Sequence, residues 1–526
     1  MTQAQSLFID AEWLEPTWTR LVAVKLQLPI DDHNAVSVLG TDLIPIEIAP
    51  SNRAHFDRFA PKWLFFDRPI GNKNVRALLI DDGIDGVTIA RGHNELTITL
   101  ELYASDARPF VHDAHCNAQW RAPNRRIHAP ERLMLAGDRI TSRVQLFSDP
   151  PIVLQKTLFP EGRRAALLFT DHADQTSAPT LATLLHGHSS GSETGGFLGH
   201  HVVLTKALFA HGALQGFERQ LEDPRVVTLA DELYRAGGEI VPHSATPSPD
   251  DRQVTQAALE LFSRWQTRTW IDHQPETNCE AFGDLGFHSG GRFGIADLLS
   301  RYHYEYIWAE LDRHSHSPDL NLFSLSRAGD RTPTVWPLGR LDSVGPSEFW
   351  MFRSTWSFMS SDDFFRRYDT NALDHLEQAR GLHIAHTYLE SLHEPGERFF
   401  SHNLLHREAD GTIVLLPKME LLLADLERRQ ARGSLWIPTL VALADRLRRE
   451  TQLTLTYLDA QHITLFAPRP IAGATFVALG PARPALHVEV DGAPPRGLQR
   501  TENQTTFWVD LSAGTHVVSM VPLSQP

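Results

Sequence analysis

Two carboxylates and an imidazole fall within one tetrapeptide, Asp171-His172-Ala173-Asp174. Oxygen and nitrogen donors of this kind bind divalent metal ions. One acid can hold an ion while the other works as a general base. An ordinary loop, with an Asp capping the next helix, would read the same way. Three further histidines follow short apolar runs. His243 ends Glu-Ile-Val-Pro-His, His273 ends Thr-Trp-Ile-Asp-His, and His386 ends Leu-His-Ile-Ala-His. A lone histidine in such a place is usually structural. Together with the acid pair, His243 and His273 become metal-ligand candidates. His386 becomes a general-acid candidate, or else a buried neutral ring bonded to backbone. Trp336, Phe349, Trp350 and Trp356 precede His386. Such rings either stack on sugar faces or fill a core. Asp171, Asp174, Glu305, Glu310 and Asp312 also allow a glycosidase carboxylate pair. His314-Ser315-His316 is a weaker metal candidate in a polar loop.

These residues need elements to bring them together. Residues 161–451 alternate strand and helix patterns. Strands are expected at 165–170, 239–242, 269–272, 304–309, 382–388 and 435–438. Helices are expected at 228–236, capped by Thr228, after Ser248-Pro249-Asp250-Asp251, and at 295–302, 373–380, 419–432 and 440–449. Alternation of this kind means a parallel sheet, and this many units favour a β/α barrel. Barrel chemistry sits at the carboxyl ends of the strands, where the acid pair and the histidines stand. Residues 1–160 alternate with period two at 21–28 and 95–102, and predict a β-sandwich. Residues 452–526 carry five short strand patterns and predict a second, smaller one.

The succession Leu-Leu-Phe-Thr-Asp-His-Ala-Asp (167–174), Gly-Gly-Glu-Ile-Val-Pro-His-Ser (237–244), a strand-end His273, Leu-His-Ile-Ala-His (382–386) and Gly-Ser-Leu-Trp-Ile-Pro-Thr-Leu (433–440) resembles the NodB-like polysaccharide deacetylase family, also called carbohydrate esterase family four. The resemblance spans residues 163–450. It implies a NodB-like β/α barrel between the two β-sandwich domains. It also implies a metal-dependent hydrolase, with zinc the expected ion, that removes N- or O-acetyl groups from a poly- or oligosaccharide using metal-activated water. Carried over by position, Asp174 is the metal acid and Asp171 the base. His172 and Ala173 separate acids that are adjacent in the family, so these roles can be exchanged. His243 matches the first histidine of the second motif. Pro247 stands where the family has another, and His273 is the replacement, with His172 next. His386 matches the late acid. Arg292 is the counterpart of the arginine that orients the base. A glycoside hydrolase and an inactive carbohydrate-binding protein are the alternative readings.

Composition narrows the partners. The 526 residues are 42% hydrophobic and 21% charged, as in globular proteins, with a formal net charge of −15. That balance argues against nucleic acid, which needs a basic face. No apolar run reaches membrane-spanning length. The start, Met-Thr-Gln-Ala-Gln-Ser-Leu-Phe, lacks the basic and apolar regions of a signal peptide, so a cytoplasmic protein is expected. Cys116 and Cys279 are expected to be buried thiols. Oligomeric state is not legible.

Overall fold

The computed structural model describes residues 5–71, 74–80, 84–104, 110–112, 126–128, 132–191, 195–212, 220–274, 278–308, 313–314, 320–323, 334–339, 349–356, 360–392, 403–479, 486–501 and 504–523. The chain is a mixed α/β protein dominated by sheets.

Strand-helix alternation produces the expected parallel pairing. Ala165–Asp171 lies at the centre, with Leu382–Thr387 on one side. Thr205–Leu208 pairs its carboxyl end on the other side, followed by Glu239–Pro242. Leu435–Trp436 pairs its amino end. A second sheet holds Thr269–Trp270, Tyr306–Trp308, Phe349–Phe352 and Val335–Gly339. A single parallel bridge, His243 to Ile271, links the two sheets. Among the described residues the pairing does not close into a full barrel; two sheets share one core. That core takes Ala166, Leu168, Ala207, Val241, Ile271, Tyr306 and Ile384 from successive strands.

Side chains alternate across a strand. The intervening positions, Ala165, Leu167, Phe169, Leu208, Ile240 and Ala385, therefore face outward and pack in a separate core with the helices. Two of those helices start differently from expectation. Pro224–Arg235 is capped by Asp223, five residues before Thr228, with Pro224 in its first turn. Arg252–Phe262 is capped by Asp251. Asp250 turns back instead to accept from the backbone of Ala245 and Thr246, just after His243.

Before this unit, two antiparallel sheets share one core built from Val36, Leu64, Leu78, Ile89, Ile98 and Leu100 among others. After it, two four-stranded sheets share another. The strand Val153–Thr157 pairs with Ile471–Leu479 in that last unit, although it precedes the α/β segment. Cys279 is disulfide-bonded, where a free thiol was expected; Cys116 lies outside the described residues. No described helix is long and apolar enough to cross a membrane.

Candidate metal centre

The end of the central strand splits the acid pair. Asp171 is its last residue, on the outward face with Ala165, Leu167 and Phe169. Its side chain is fully buried, and both oxygens are engaged. Lys206 Nζ donates to Oδ2 at 2.6 Å. The Leu389 amide donates to Oδ1 at 2.6 Å, and Thr387 Oγ1 adds a bond to Oδ1 at 3.3 Å. Lys206 also donates to the His172 carbonyl at 3.2 Å and pairs with Glu390 at 3.0 Å. Burial alone would discharge Lys206; Asp171 and Glu390 outweigh it and hold the ammonium above its ordinary range. Burial pushes the Glu390 carboxyl up, against the pull of Lys206. Asp171 thus sits in an internal charge triad.

Asp174 lies one short turn further on, in Ala173–Gln175. Its Oδ1 stands 3.1 Å from His273 Nε2 and its Oδ2 3.3 Å from His243 Nε2. Burial works against its charge, but the two imidazoles outweigh burial and keep the carboxyl well below the usual range. His243 directly follows the strand Glu239–Pro242, and its Nδ1 faces the Ile271 carbonyl at 3.4 Å. His273 is pinned through its backbone: its amide donates to Ser244 Oγ at 2.9 Å, and its carbonyl accepts from Asn278 at 2.6 Å. Phe209 stacks on His243 at 5.2 Å and meets His273 edge-on at 5.0 Å, walling both rings from water.

His172 turns to the inward side. Its ring stacks on His386 at 3.6 Å between centroids and meets His243 edge-on at 4.7 Å. Donor atoms of His172, Asp174 and His243 all lie within 4.8 Å of one another. The Nε2 of His172 is buried with no hydrogen-bond partner. Burial first, then the neighbouring His386 and His243, hold His172 well below its ordinary range, so the ring is neutral. His386 faces Tyr388 Oη at 3.2 Å, and Trp308 meets both His172 and His386 edge-on at 5.3 Å.

The donors fit a divalent cation. The Nδ1 of His243 is close to the Ile271 carbonyl and its Nε2 to a carboxylate oxygen; in the tautomer whose Nδ1 carries the proton, Nε2 offers a lone pair to a cation shared with Asp174. Burial brings His243 down to about 4, although Asp174 opposes the shift, so at neutral pH the ring is uncharged and one of its nitrogens can ligate an ion. An imidazole whose far nitrogen donates to backbone is the usual posture of a metal ligand. Ligand atoms about 2.0–2.1 Å from a tetrahedral ion stand about 3.3–3.4 Å apart, close to the separations around Asp174.

The structure therefore brings Asp174, His243, His273 and His386 to one end of the strands, and adds His172. It separates Asp171 and Arg292 from them. Arg292 is exposed, with its guanidinium over the Phe293 ring at 4.9 Å. The cation beside Asp171 is Lys206 instead, because Asp171 faces outward toward the strand that carries this lysine. Trp336, Phe349 and Trp350 are buried core residues. The side chain of Trp356 lies outside the described residues, as do Glu310, Asp312 and His316. Glu305 is ion-paired to Arg268 and Arg448. Sequence reasoning missed Lys206, Tyr388, Glu390 and Trp308. One signal was present: a lysine inside the apolar run Val-Val-Leu-Thr-Lys-Ala-Leu-Phe-Ala is costly unless paired.

No protein-family model matches the chain, and no curated protein does. Among solved structures, an α-fucosidase of Thermotoga maritima is similar at 11% identity and TM-score 0.24, covering 69% of this chain and 97% of that one. A pullulanase from Anoxybacillus is similar at 8% identity and TM-score 0.23, covering 96% of this chain and 99% of that one. Likenesses of that size assign neither fold nor activity to this chain.

Proposed function

We propose that this chain is a metal-dependent hydrolase that removes N- or O-acetyl groups from a poly- or oligosaccharide, on a scaffold of the NodB-like kind. One observation carries the reading: a single carboxylate, Asp174, faced by the Nε2 atoms of His243 and His273 at the carboxyl ends of separate strands. The unpartnered His172 Nε2 beside them supports it. The order of motifs along residues 163–450 supplies the substrate class.

Asp174, His243 and His273 would hold the ion, with His172 the next donor in reach. When bound, a divalent ion such as zinc supplies Lewis-acid polarisation of a carbonyl and activation of water. The chain's own residues do the rest. His386 would take the proton that water gives up as its oxygen joins the carbonyl carbon, and would return it to the departing amine or alcohol as the acyl bond breaks. Its ring is held by the His172 stack and by Tyr388. Trp308 and Phe209 exclude water from the imidazoles. Asp171 is a positioning residue in this reading: it ties the ends of two strands together through Thr387, Leu389 and Lys206.

The test is elemental analysis of purified protein, followed by acetate release from an acetylated amino-sugar oligomer after chelation and after return of zinc. About one bound ion per chain and zinc-restored acetate release are expected. A chain that takes up no divalent ion would overturn the reading. So would a metal-loaded chain that shortens a glycan and frees no acyl group from a panel of acetylated sugars.

A further inference from the structure

At the opposite, amino ends of the strands lies a second feature. A shallow, open cleft with an interior of about 30 Å³ runs between the first β-unit and the α/β unit. Thr41, Leu43, Phe59 and Pro61 line it from one side. Arg164 and Arg380 line it from the other, each just before a strand, Ala165–Asp171 and Leu382–Thr387 respectively. Phe59, Phe159 and Phe323 belong to the inward core and close its floor. The histidine centre lies past the far ends of the same strands, so the two sites share no residue.

The charges in this cleft are unbalanced. Among the described residues, neither Arg164 nor Arg380 has a carboxylate within ion-pair distance. The polar bond recorded for the Arg380 guanidinium is to Gln504 Oε1, at a long 3.5 Å. Burial, and then the nearby Arg164 charge, push Arg380 down to about 10, with Asp42 leaning weakly the other way. Two guanidinium groups repel here, inside a protein of net charge −15 that has carboxylates to spare. Arg380 also occupies a position that favours glycine. It ends the helix Thr370–Gln378 with φ +50°, in the left-handed region, and the Gly381 amide closes the turn onto the Leu376 carbonyl at 2.9 Å. An arginine there costs backbone strain that its own contacts do not repay.

We infer that the cleft binds a small oxyanion, a phosphate or carboxylate group, held between the Arg164 and Arg380 guanidinium groups. Planar guanidinium forks match such oxyanions in bidentate fashion. Phe59, Phe159 and Phe323 are buried beneath the cleft, so the body of the molecule that carries the charge would stay at its open mouth. Sites of this kind occur at domain junctions, and Arg380 also reaches toward the last unit, at Gln504.

Calorimetric titration of the full chain with inorganic phosphate and with glucuronate, glucose serving as the uncharged control, tests the inference. Heat from phosphate alone assigns the site to phosphate; heat from glucuronate identifies an acidic sugar. Two variants guard against misfolding. Arg380→Gly relieves the left-handed backbone, so its melting temperature should not fall, yet binding should weaken at least ten-fold. Arg164→Gln, at an exposed position, should weaken binding with no change in melting. Binding of neither anion at millimolar concentration, equal binding of glucose, or unchanged affinity in both variants would each overturn the proposal. None of these readouts depends on a metal at the histidine centre.

Discussion

Asp171 and Asp174 are three residues apart and live in opposite electrostatic settings. Asp171 is neutralised from within: Lys206 and two backbone-anchored donors occupy its oxygens on the helix-covered face. Asp174 faces the Nε2 atoms of His243 and His273, and burial keeps the His243 ring uncharged. The difference follows from strand geometry. Odd-numbered positions from 165 to 171 point outward, and the chain must leave the strand before a carboxylate can turn to its open end. A carboxylate paired by the protein's own lysine braces the fold. One faced by two imidazoles at the strand ends is a candidate ligand.

The sharpest way to break this comparison is to remove the internal cation. Lys206→Met would leave Asp171 and Glu390 buried without a counter-charge. The expected loss is about 3–5 kcal/mol of stability, read by denaturant unfolding. A loss under about 1 kcal/mol would mean that the triad is solvated and the contrast unfounded. Asp171→Asn comes next. It should cost about 1–3 kcal/mol, because the Lys206 ammonium loses one partner while Glu390 remains, and metal uptake should persist. Full stability with turnover lowered about 10²–10⁴-fold would instead make Asp171 the general base.

On the Asp174 side the expected effects are on affinity rather than folding. Ser244 Oγ accepts the His273 amide and fixes the turn that presents that ring. Ser244→Ala should weaken metal binding about 10–100-fold, the usual consequence of removing a group that orients a ligand. Competition against a chromogenic chelator reads this directly. Wild-type affinity in the variant would detach His273 from the centre.

Much of this was legible because it is local. Period-two runs mark the strands, and the rule that chemistry gathers at their carboxyl ends selects His243, His273 and His386 without a fold. The direction of Asp171 was legible too, had alternation been followed through Ala165, Leu167 and Phe169. What stayed hidden was long-range. Nothing near Arg292 says that Lys206, on a neighbouring strand, would reach Asp171 first. Strand closure depends on pairing between distant segments, and so does the capture of Val153–Thr157 by the last β-unit. Trp336 and Phe349 carry no local mark that separates a core ring from a sugar platform.

An effect that vanishes at neutral pH belongs to the same two faces and comes from His383, on the outward side of the strand that carries His386. Its Nδ1 meets the Leu320 carbonyl at 2.7 Å and its Nε2 meets Tyr368 Oη at 3.1 Å, so both nitrogens are satisfied, as the oxygens of Asp171 are. Burial, helped by the Arg367 charge, pushes His383 down to about 3. An unfolded histidine titrates near 6.5. Between these values the unfolded chain binds a proton that the folded chain refuses. Stability is therefore fully present above pH about 6.5 and falls as pH drops toward 3, by at most about 1.4 kcal/mol per pH unit from this group. His383→Gln removes the titration, so its unfolding free energy should fall less steeply than wild type between pH 6.5 and 4.5. Carboxylates elsewhere titrate alike in both proteins and cancel in the difference. Parallel curves would show that His383 takes up its proton in the folded state. The outward face would then be as open to added charge as the inward one.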